Sequence, residues 1–256
     1  MDKPGVAIVH YHLRTGGVTR VIEHAVRSVQ DRGFKCVVLS GEEAPASIAS
    51  LAEVRIVPEL AYRSTASSGL ANRLLQMLKD EAASALGAPP DLWHFHNHSL
   101  GKNPAVPMVV HSLACESWPL LLQIHDFAED ARPGNYALLV EQVGGGDREA
   151  LAEKVYPIAD HVHYAVLNGR DRKFLAGAGA PDSSVHLLPN AVNMDGGPDG
   201  ENVAVTERRR RFIYPTRAIR RKNLGEFLLW AALDDEDGIY EVTRAPRNPA
   251  ARPRYD

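Results

Sequence analysis

The chain opens with a short apolar strand, a glycine turn, an amphipathic helix and a second strand. Residues 5–11 are apolar and rich in β-branched side chains, and Gly16-Gly17 interrupts them. From Val18 to Val29 the apolar residues recur at helical spacing, and residues 35–40 form the next apolar run. A helix between two strands brings the chain back to the same end of a sheet, so the two strands run parallel. The opening therefore predicts a parallel sheet.

The same alternation continues along most of the chain. Further strands are predicted at residues 54–57, 91–96, 120–125, 161–167 and 185–188, and helices at 69–86, 105–116 and 170–175. Polar or glycine-rich interruptions at residues 127–135 and 144–146 are predicted to be loops. The pattern predicts an α/β fold over residues 1–198, a Rossmann-like parallel sheet with helices on both faces.

The composition changes after residue 198. Residues 199–210 are polar and weakly patterned, which is typical of a linker. Residues 211–256 contain one more strand–helix–strand pattern, with a helix at 224–233, and we interpret them as an incomplete second Rossmann-like unit.

Composition and charge exclude several classes of protein. The net charge of −3 and pI of about 6.4 argue against attraction of the whole chain to nucleic acid. The two cysteines form no Cys-x-x-Cys pair, which leaves a zinc ribbon unsupported. No apolar run approaches the ~18 residues of a membrane span, and no signal peptide is recognisable. We expect a cytoplasmic protein, and peripheral contact with a membrane stays open.

Gly16 and Gly17 lie between the first strand and the first helix. Glycine allows a ligand to approach the backbone, and the helix N-terminus offers free N–H groups with a positive dipole end. A diphosphate or a sugar hydroxyl suits this position, and a tight turn without a ligand is the structural alternative. The turn lacks the full G-x-G-x-x-G pattern, so NAD is not expected.

Three histidines cluster in the sequence at a predicted strand end. His94 and His96 alternate along the strand and share one face, and His98 follows just beyond. They are candidates to line a cleft at the edge of the sheet, and hydrogen bonds to the backbone are the structural alternative. A metal site is disfavoured because no Asp or Glu lies between them.

A His-Asp pair, His125-Asp126, lies at the carboxyl end of a strongly apolar predicted strand. Ligand crevices of open α/β sheets form at the carboxyl ends of the strands. His125 and Asp126 are therefore candidate catalytic residues, and a solvated strand end is the alternative.

Basic residues concentrate between Arg208 and Lys222. Arg217 and Lys222 frame the predicted turn before the helix at 224–233, a position suited to a phosphate clamp. A solvated basic face and nucleic-acid binding are the alternatives, and the latter lacks interleaved aromatic residues in the turn.

Taken in order, these motifs resemble the GT-B-fold glycosyltransferases, and specifically the large retaining family 4. The matching positions are Gly16-Gly17-Val18, the strand at 91–96 with His94 and His96, His125-Asp126, Asn168, the run at 188–193, and Arg217 with Lys222. The resemblance extends over residues 5–233. It implies a two-domain enzyme that transfers a sugar from a nucleotide-sugar donor to an acceptor, with no bound metal.

The resemblance also implies roles for individual residues. Gly16, Gly17, Arg217 and Lys222 would contact the donor diphosphate, and His125 would lie beside the transferred sugar. Residues 1–198 would form the acceptor-side domain, with His94, His96, His98 and Asn168 at the acceptor cleft. The partners implied are a UDP- or GDP-linked sugar and an acceptor that the sequence does not identify.

The resemblance stops short of the whole family pattern. Relatives carry a glutamate-bearing segment in a longer C-terminal domain, and no matching segment follows residue 233. We therefore expect the chain to be inactive alone, as a truncated or split enzyme that a complementing C-terminal half would restore. The alternatives are a non-catalytic acceptor- or partner-binding module and a metal-dependent hydrolase built on the histidines.

Overall fold

The computed structural model describes residues 3–130, 132–191, 210–217, 222–236 and 238–244. Contacts divide the chain into two compact units, Met1–Val192 and Asn193–Asp256. Of the predicted linker at residues 199–210, all but Arg210 lies outside the described residues.

The described part of the first unit contains a seven-stranded parallel sheet, called here the main sheet. Its strands are β1 (Gly5–His10), β2 (Lys35–Ser40), β3 (Glu53–Ile56), β4 (Leu92–His96), β5 (Leu120–Ile124), β6 (Val162–Val166) and β7 (Val185–Leu187). They lie in the order β3-β2-β1-β4-β5-β6-β7, and every neighbouring pair is parallel. The predicted fold class is confirmed.

Helices cover both faces of the main sheet. They are α1 (Gly17–Asp31), α2 (Ala46–Ala49), α3 (Ser68–Leu86), α4 (Ala105–Cys115), α5 (Pro133–Gln142), α6 (Arg148–Val155) and α7 (Gly169–Gly177). The alternation of side chains along β1 sends Val6 and Ile8 to one hydrophobic cluster, with Ile22 and Val26 of α1. The intervening Ala7 and Val9 join the opposite cluster, which contains the apolar faces of α3 and α4.

The order of the strands places a topological switch point between β1 and β4. From β1 the chain proceeds towards β2 and β3 on one side, and from β4 towards β5, β6 and β7 on the other. The connections diverge there and leave a crevice outside the carboxyl ends of the strands. The residues after β1, β4 and β5 therefore flank the position where a ligand is expected to bind.

Close packing at this edge explains one glycine. A Cβ atom on Gly41, the residue after β2, would lie 2.5 Å from the backbone nitrogen of Ala61 and 2.7 Å from the carbonyl oxygen of Tyr11. The Gly41 amide donates to that same carbonyl at 3.1 Å. Any larger residue at position 41 would push apart the two segments that continue from β1 and β3.

The segment at residues 127–135 corrects one prediction. A loop is predicted there, but α5 begins at Pro133 and includes Gly134 and Asn135. Proline is well suited to the first position of a helix, where its missing N–H would have no partner in any case. The glycines at 144–146 do form the turn between α5 and α6, and Gly145 and Gly146 adopt positive φ angles.

The second unit contains a small parallel sheet of β8 (Arg211–Arg217) and β9 (Ile239–Arg244), joined by α8 (Leu224–Leu233). Phe212 and Tyr240 stack with their ring centroids 4.8 Å apart, and Phe227 and Trp230 of α8 pack against them. None of the described side chains of α8 is buried. Neither in this unit nor in the first does the described chain contain a helix long and apolar enough to cross a membrane.

Candidate functional site

Three histidines form a row across adjacent strand ends of the main sheet. His10 ends β1, His96 ends β4 and His125 follows β5. Their ring centroids are 6.3 Å apart for His10 and His96, and 5.3 Å apart for His96 and His125. Because the strands are parallel and adjacent, their carboxyl ends bring the three rings to the switch point. This group is called the histidine row below.

The contact between His96 and His125 is a hydrogen bond between two stacked rings. Their planes differ by 15°, and Nδ1 of His96 lies 3.0 Å from Nε2 of His125. Nε2 of His96 is buried and has no hydrogen-bond partner among the described residues. An unpaired buried N–H is less tolerable than an unpaired lone pair, so the proton of His96 belongs on Nδ1, which donates to His125.

That assignment fixes the tautomer of His125. Its Nε2 accepts the proton of His96, so in the neutral ring the hydrogen sits on Nδ1. His125 is partly exposed, unlike His96, which is 2% exposed. The inner ring of the pair is thus enclosed in the protein, and the outer ring offers an N–H donor for a ligand.

Burial keeps the histidines at this edge neutral. It lowers the pKa of His125 to about 4 and that of His10 to about 3. Burial also lowers the pKa of His94 to about 4, and it holds the pKa of His96 well below its ordinary value. Near pH 7 these rings are uncharged, and each has one donor and one acceptor nitrogen.

Asn97 positions the backbone that carries His125 and Asp126. Its side-chain oxygen accepts from the His125 amide at 2.7 Å and from the Asp126 amide at 3.2 Å. Asn97 itself is 2% exposed and adopts a left-handed conformation with φ of 57°, which asparagine tolerates better than most residues. One buried amide therefore aligns the end of β5 with the end of β4.

Asp126, a predicted catalytic residue, is paired with an arginine. Nη2 of Arg132 donates to Oδ2 of Asp126 at 2.8 Å. The Arg132 side chain is 15% exposed, whereas that of Asp126 is 45% exposed. The carboxylate therefore faces solvent with one oxygen held by a cation, as a fixed hydrogen-bond acceptor.

The predicted glycine site coincides with the start of α1. Gly17 is its first residue, and no acidic side chain lies in the first turn. A Cβ atom on Gly17 would meet no described atom within 4 Å, and one on Gly16 would come no closer than 3.7 Å to the Arg14 carbonyl. A side chain at either position would therefore not clash with the described residues. The space beside the turn is open to a ligand.

The predicted cationic pair is described in part. Arg217 is the last residue of β8, and its side chain lies outside the described residues, as do Arg220 and Arg221. Lys222 is exposed two residues before α8, and its carbonyl accepts a hydrogen bond from the Tyr214 hydroxyl. Their assignment to a diphosphate stays a prediction.

Like His96, the other predicted cleft residues have hydrogen-bond partners within the fold. The His94 ring is 3.0 Å from the side-chain oxygen of Gln123, and the His98 ring is fully buried 2.8 Å from the Val155 carbonyl. Asn168 caps α7, where its side-chain oxygen accepts from the Asp171 amide at 3.0 Å. Whether these residues also meet an acceptor stays a prediction.

Sequence reasoning missed several residues at this edge. His10, Tyr11 and His12 follow one another at the end of β1, and the rings of His10 and His12 lie 5.5 Å apart. The signal was the His-Tyr-His run after the first strand, but its meaning depends on β1 lying beside β4. Arg132 carried no local signal, because its contact with Asp126 is made by a loop.

Within the described chain no group of three or more His, Cys, Asp or Glu residues is arranged to hold a metal ion. One Asp-x-Asp triplet occurs at residues 235–237, after α8, and its last residue lies outside the described residues. In that turn Glu236 is paired with Arg210.

Comparison with known proteins found one relative by sequence, while no family model matches the chain. The chain is 31% identical over 249 residues to the mannosylglucosyl-3-phosphoglycerate synthase of Petrotoga mobilis. The match covers 87% of this chain and 47% of that protein, so the chain spans about half the length of its relative.

Solved structures share the fold at low sequence identity. A glycosyltransferase from Rickettsia africae superposes with a TM-score of 0.62 at 13% identity, over 99% of this chain and 64% of that one. The lipopolysaccharide outer core galactosyltransferase WaaB in its apo form gives a TM-score of 0.57 at 11% identity, over 98% and 64% of the two chains. The described chain is thus built on the GT-B-like, Rossmann-type fold of glycosyltransferases.

Proposed function

We propose that the chain forms the acceptor-side part of a retaining glycosyltransferase of the family 4 type. It would take part in the transfer of a sugar from a UDP- or GDP-linked donor. The observation that carries the proposal is the histidine row at the switch point, together with the helix α1 that follows His10 in the chain and has Gly16-Gly17 at its N-terminus. Neutral donors beside an open helix N-terminus suit a ligand with sugar hydroxyls and a diphosphate.

In this proposal His125 recognises the transferred sugar. Its Nδ1–H would donate to a hydroxyl oxygen, and Asp126 would accept from a second hydroxyl while Arg132 holds its carboxylate in place. A neutral imidazole suits this task, because a charged ring would lose its acceptor nitrogen and could no longer accept the proton of His96.

The leaving group is a nucleoside diphosphate, and its departure builds negative charge. The N-terminus of α1 at Gly16-Gly17 would bind that charge through backbone N–H groups. Arg217 and Lys222 would add fixed cations, which lower the barrier by stabilising the developing anion. Such a clamp needs no bound metal, and we expect chelation with EDTA to leave the transfer rate unchanged.

The acceptor class follows from the relative. That protein is named for a product in which sugars are joined to 3-phosphoglycerate, so we propose a phosphorylated glycerate or its glycoside as the acceptor here.

The test is sugar transfer by the protein combined with a complementing C-terminal half, offered UDP- and GDP-linked hexoses with 3-phosphoglycerate and its glucoside. The protein by itself is expected to form no product. We expect a product larger by one hexose, formed with retained anomeric configuration by NMR. Arg217→Ala and Lys222→Ala should each lower turnover ~100-fold or more. The exposed cations of α7 provide controls, and Arg172→Ala and Lys173→Ala should leave turnover unchanged. Equal turnover in all four variants would contradict the assignment of Arg217 and Lys222 to the diphosphate.

A partner-binding module is the second candidate, favoured by one observation. On α8 the side chains of Leu228, Leu229 and Leu233 are 55%, 58% and 73% exposed, an apolar surface of the kind that partners cover. Calorimetry with UDP- and GDP-linked sugars separates the two candidates. Tight, donor-specific binding supports the transferase, and absence of donor binding together with absence of transfer supports the module.

A further inference from the structure

A pocket opens at the carboxyl edge of the main sheet, beyond the ends of β5 and β6. It is lined by Phe127, Glu129, Asp130, Arg170, Asp171 and Phe174. Phe127 follows His125 and Asp126 in the chain, and the other wall is the first turns of α7. The volume of about 150 Å³ is well below the ~300 Å³ of the smallest pockets that hold a drug-sized ligand, so the pocket suits a single ring.

Two phenylalanine rings form the apolar side of the pocket. Their centroids are 5.9 Å apart at an angle of 42°. Phe127 is 7% exposed and is held in place by the surrounding core. Phe174 is 57% exposed and therefore contributes little to the core. A large apolar side chain at such a position leaves a flat ring face available to a ligand.

The polar side of the pocket consists of carboxylates that neighbouring groups hold in place. Asp130 pairs with Arg170 at 3.0 Å, and Asp171 accepts from the side chain of Asn168 at 2.8 Å. The carboxylate of Glu129 accepts from the Tyr156 hydroxyl at 3.1 Å. Each carboxylate keeps acceptor capacity for a ligand hydroxyl, because an ionised carboxylate accepts about four hydrogen bonds.

The charge of this lining selects among ligands. Three carboxylates and one guanidinium give the pocket a negative balance, which repels phosphate and carboxylate groups. A neutral pyranose meets both walls, because its C–H face packs on an aromatic ring and its hydroxyls donate to carboxylates.

We propose that this pocket is a subsite for a neutral hexose ring, the sugar portion of the acceptor. The assignment to the acceptor rests on the proposed function, whereas the binding of a neutral hexoside does not. The anionic part of a phosphorylated acceptor then lies outside the pocket.

The experiment is an NMR titration of the purified protein with methyl α-D-glucopyranoside, read at the backbone amides. We expect the amides of Phe127, Asp130 and residues 170–174 to shift. Phe174→Ala should weaken binding about tenfold, the loss of one aromatic contact. Phe34→Ala is the matched control, because Phe34 is 38% exposed and precedes β2 at the opposite edge of the sheet.

A second matched pair tests the carboxylates. Asp130→Asn should weaken binding, whereas Asp182→Asn should not, although Asp182 is also paired with an arginine of α7, at 3.5 Å from Arg172. Glucose 6-phosphate should bind more weakly than the methyl glucoside at the same amides. Equal affinity for the two probes, shifts confined to other segments, or equal affinity of the Phe174→Ala and Phe34→Ala variants would overturn the proposal.

The outcome is separable from that of the proposed function. Binding of the hexoside at this pocket without any sugar transfer would support the subsite and contradict the proposed transferase function. Transfer with an unchanged KM for the acceptor in Phe174→Ala would keep the transferase and remove the subsite.

Discussion

Two histidine pairs on neighbouring strands of the main sheet have the same nitrogen–nitrogen distance but different surroundings. His96 and His125 lie at the switch point, with Nδ1 and Nε2 3.0 Å apart and ring centroids 5.3 Å apart. His163 on β6 and His186 on β7 repeat the 3.0 Å contact with centroids 5.1 Å apart, but that pair is exposed. A short contact between two imidazoles therefore does not by itself make a site.

The difference between the pairs is what surrounds them. The switch-point pair continues to His10 and His94, and it is anchored by the buried Asn97. Its inner ring cannot reach water, so only one assignment of the shared proton avoids an unpaired buried N–H. The exposed pair can exchange its hydrogen bond for water at little cost. Burial of His96 and anchoring by Asn97 thus fix the tautomer of His125, so that its Nδ1–H is available as a donor.

Removing the outer ring of each pair should give the largest contrast. His125→Ala is expected to lower kcat/KM for sugar transfer ~100-fold or more, because a preorganised donor is lost. His186→Ala should leave kcat/KM unchanged. The measurement is steady-state transfer of the labelled hexose. Similar losses in both variants would show that the switch point has no special role.

The anchor of the buried pair gives the next contrast. Asn97→Ala leaves two backbone amides near the switch point without their acceptor and places alanine at positive φ. We expect a loss of about 2–4 kcal/mol in the free energy of unfolding. Asn168→Ala, which removes an exposed helix cap, should lose about 1 kcal/mol. Urea denaturation measures both, and equal losses would deny Asn97 its anchoring role.

Acid should weaken the fold through the buried rings. Between pH 6.5 and about 4 the unfolded chain binds protons at His94 and His125, whereas the folded rings stay neutral. The free energy of unfolding therefore falls as the pH falls through this window, by up to ~1.4 kcal/mol per pH unit for each ring. His125→Gln should reduce the slope by one ring's share. An unchanged slope in that variant would mean that His125 is not held neutral by burial.

The smallest expected effect is spectroscopic. The ¹⁵N shifts of the His125 ring should report a hydrogen on Nδ1, and His96→Ala should release that preference by removing the donor to Nε2. A mixture of tautomers in the unmodified protein would contradict the assignment.

Much of this fold follows from the sequence, because the spacing of apolar residues and the glycine turns mark every strand of the main sheet and the helices α1, α3, α4 and α7, although not α2, α5 and α6. All seven strands of the main sheet overlap the predicted segments, and His96 and His125 are singled out from strand ends alone. The local sequence pattern does not reveal the order of the strands in the sheet. His10 was missed because its role depends on β1 lying beside β4. The pairing of Asp126 with Arg132 and the burial of His98 against Val155 depend on loop paths.

The central claim is that ligands bind at the carboxyl edge of the main sheet, around the histidine row. Hydrogen exchange of the purified protein with and without UDP-glucose or GDP-mannose tests it directly. We predict slower exchange in the peptides that span residues 12–20, 97–101 and 125–130 on addition of one of these donors. Protection confined to the opposite edge, at residues 33–35 and 87–91, or no protection with either donor, would contradict the account.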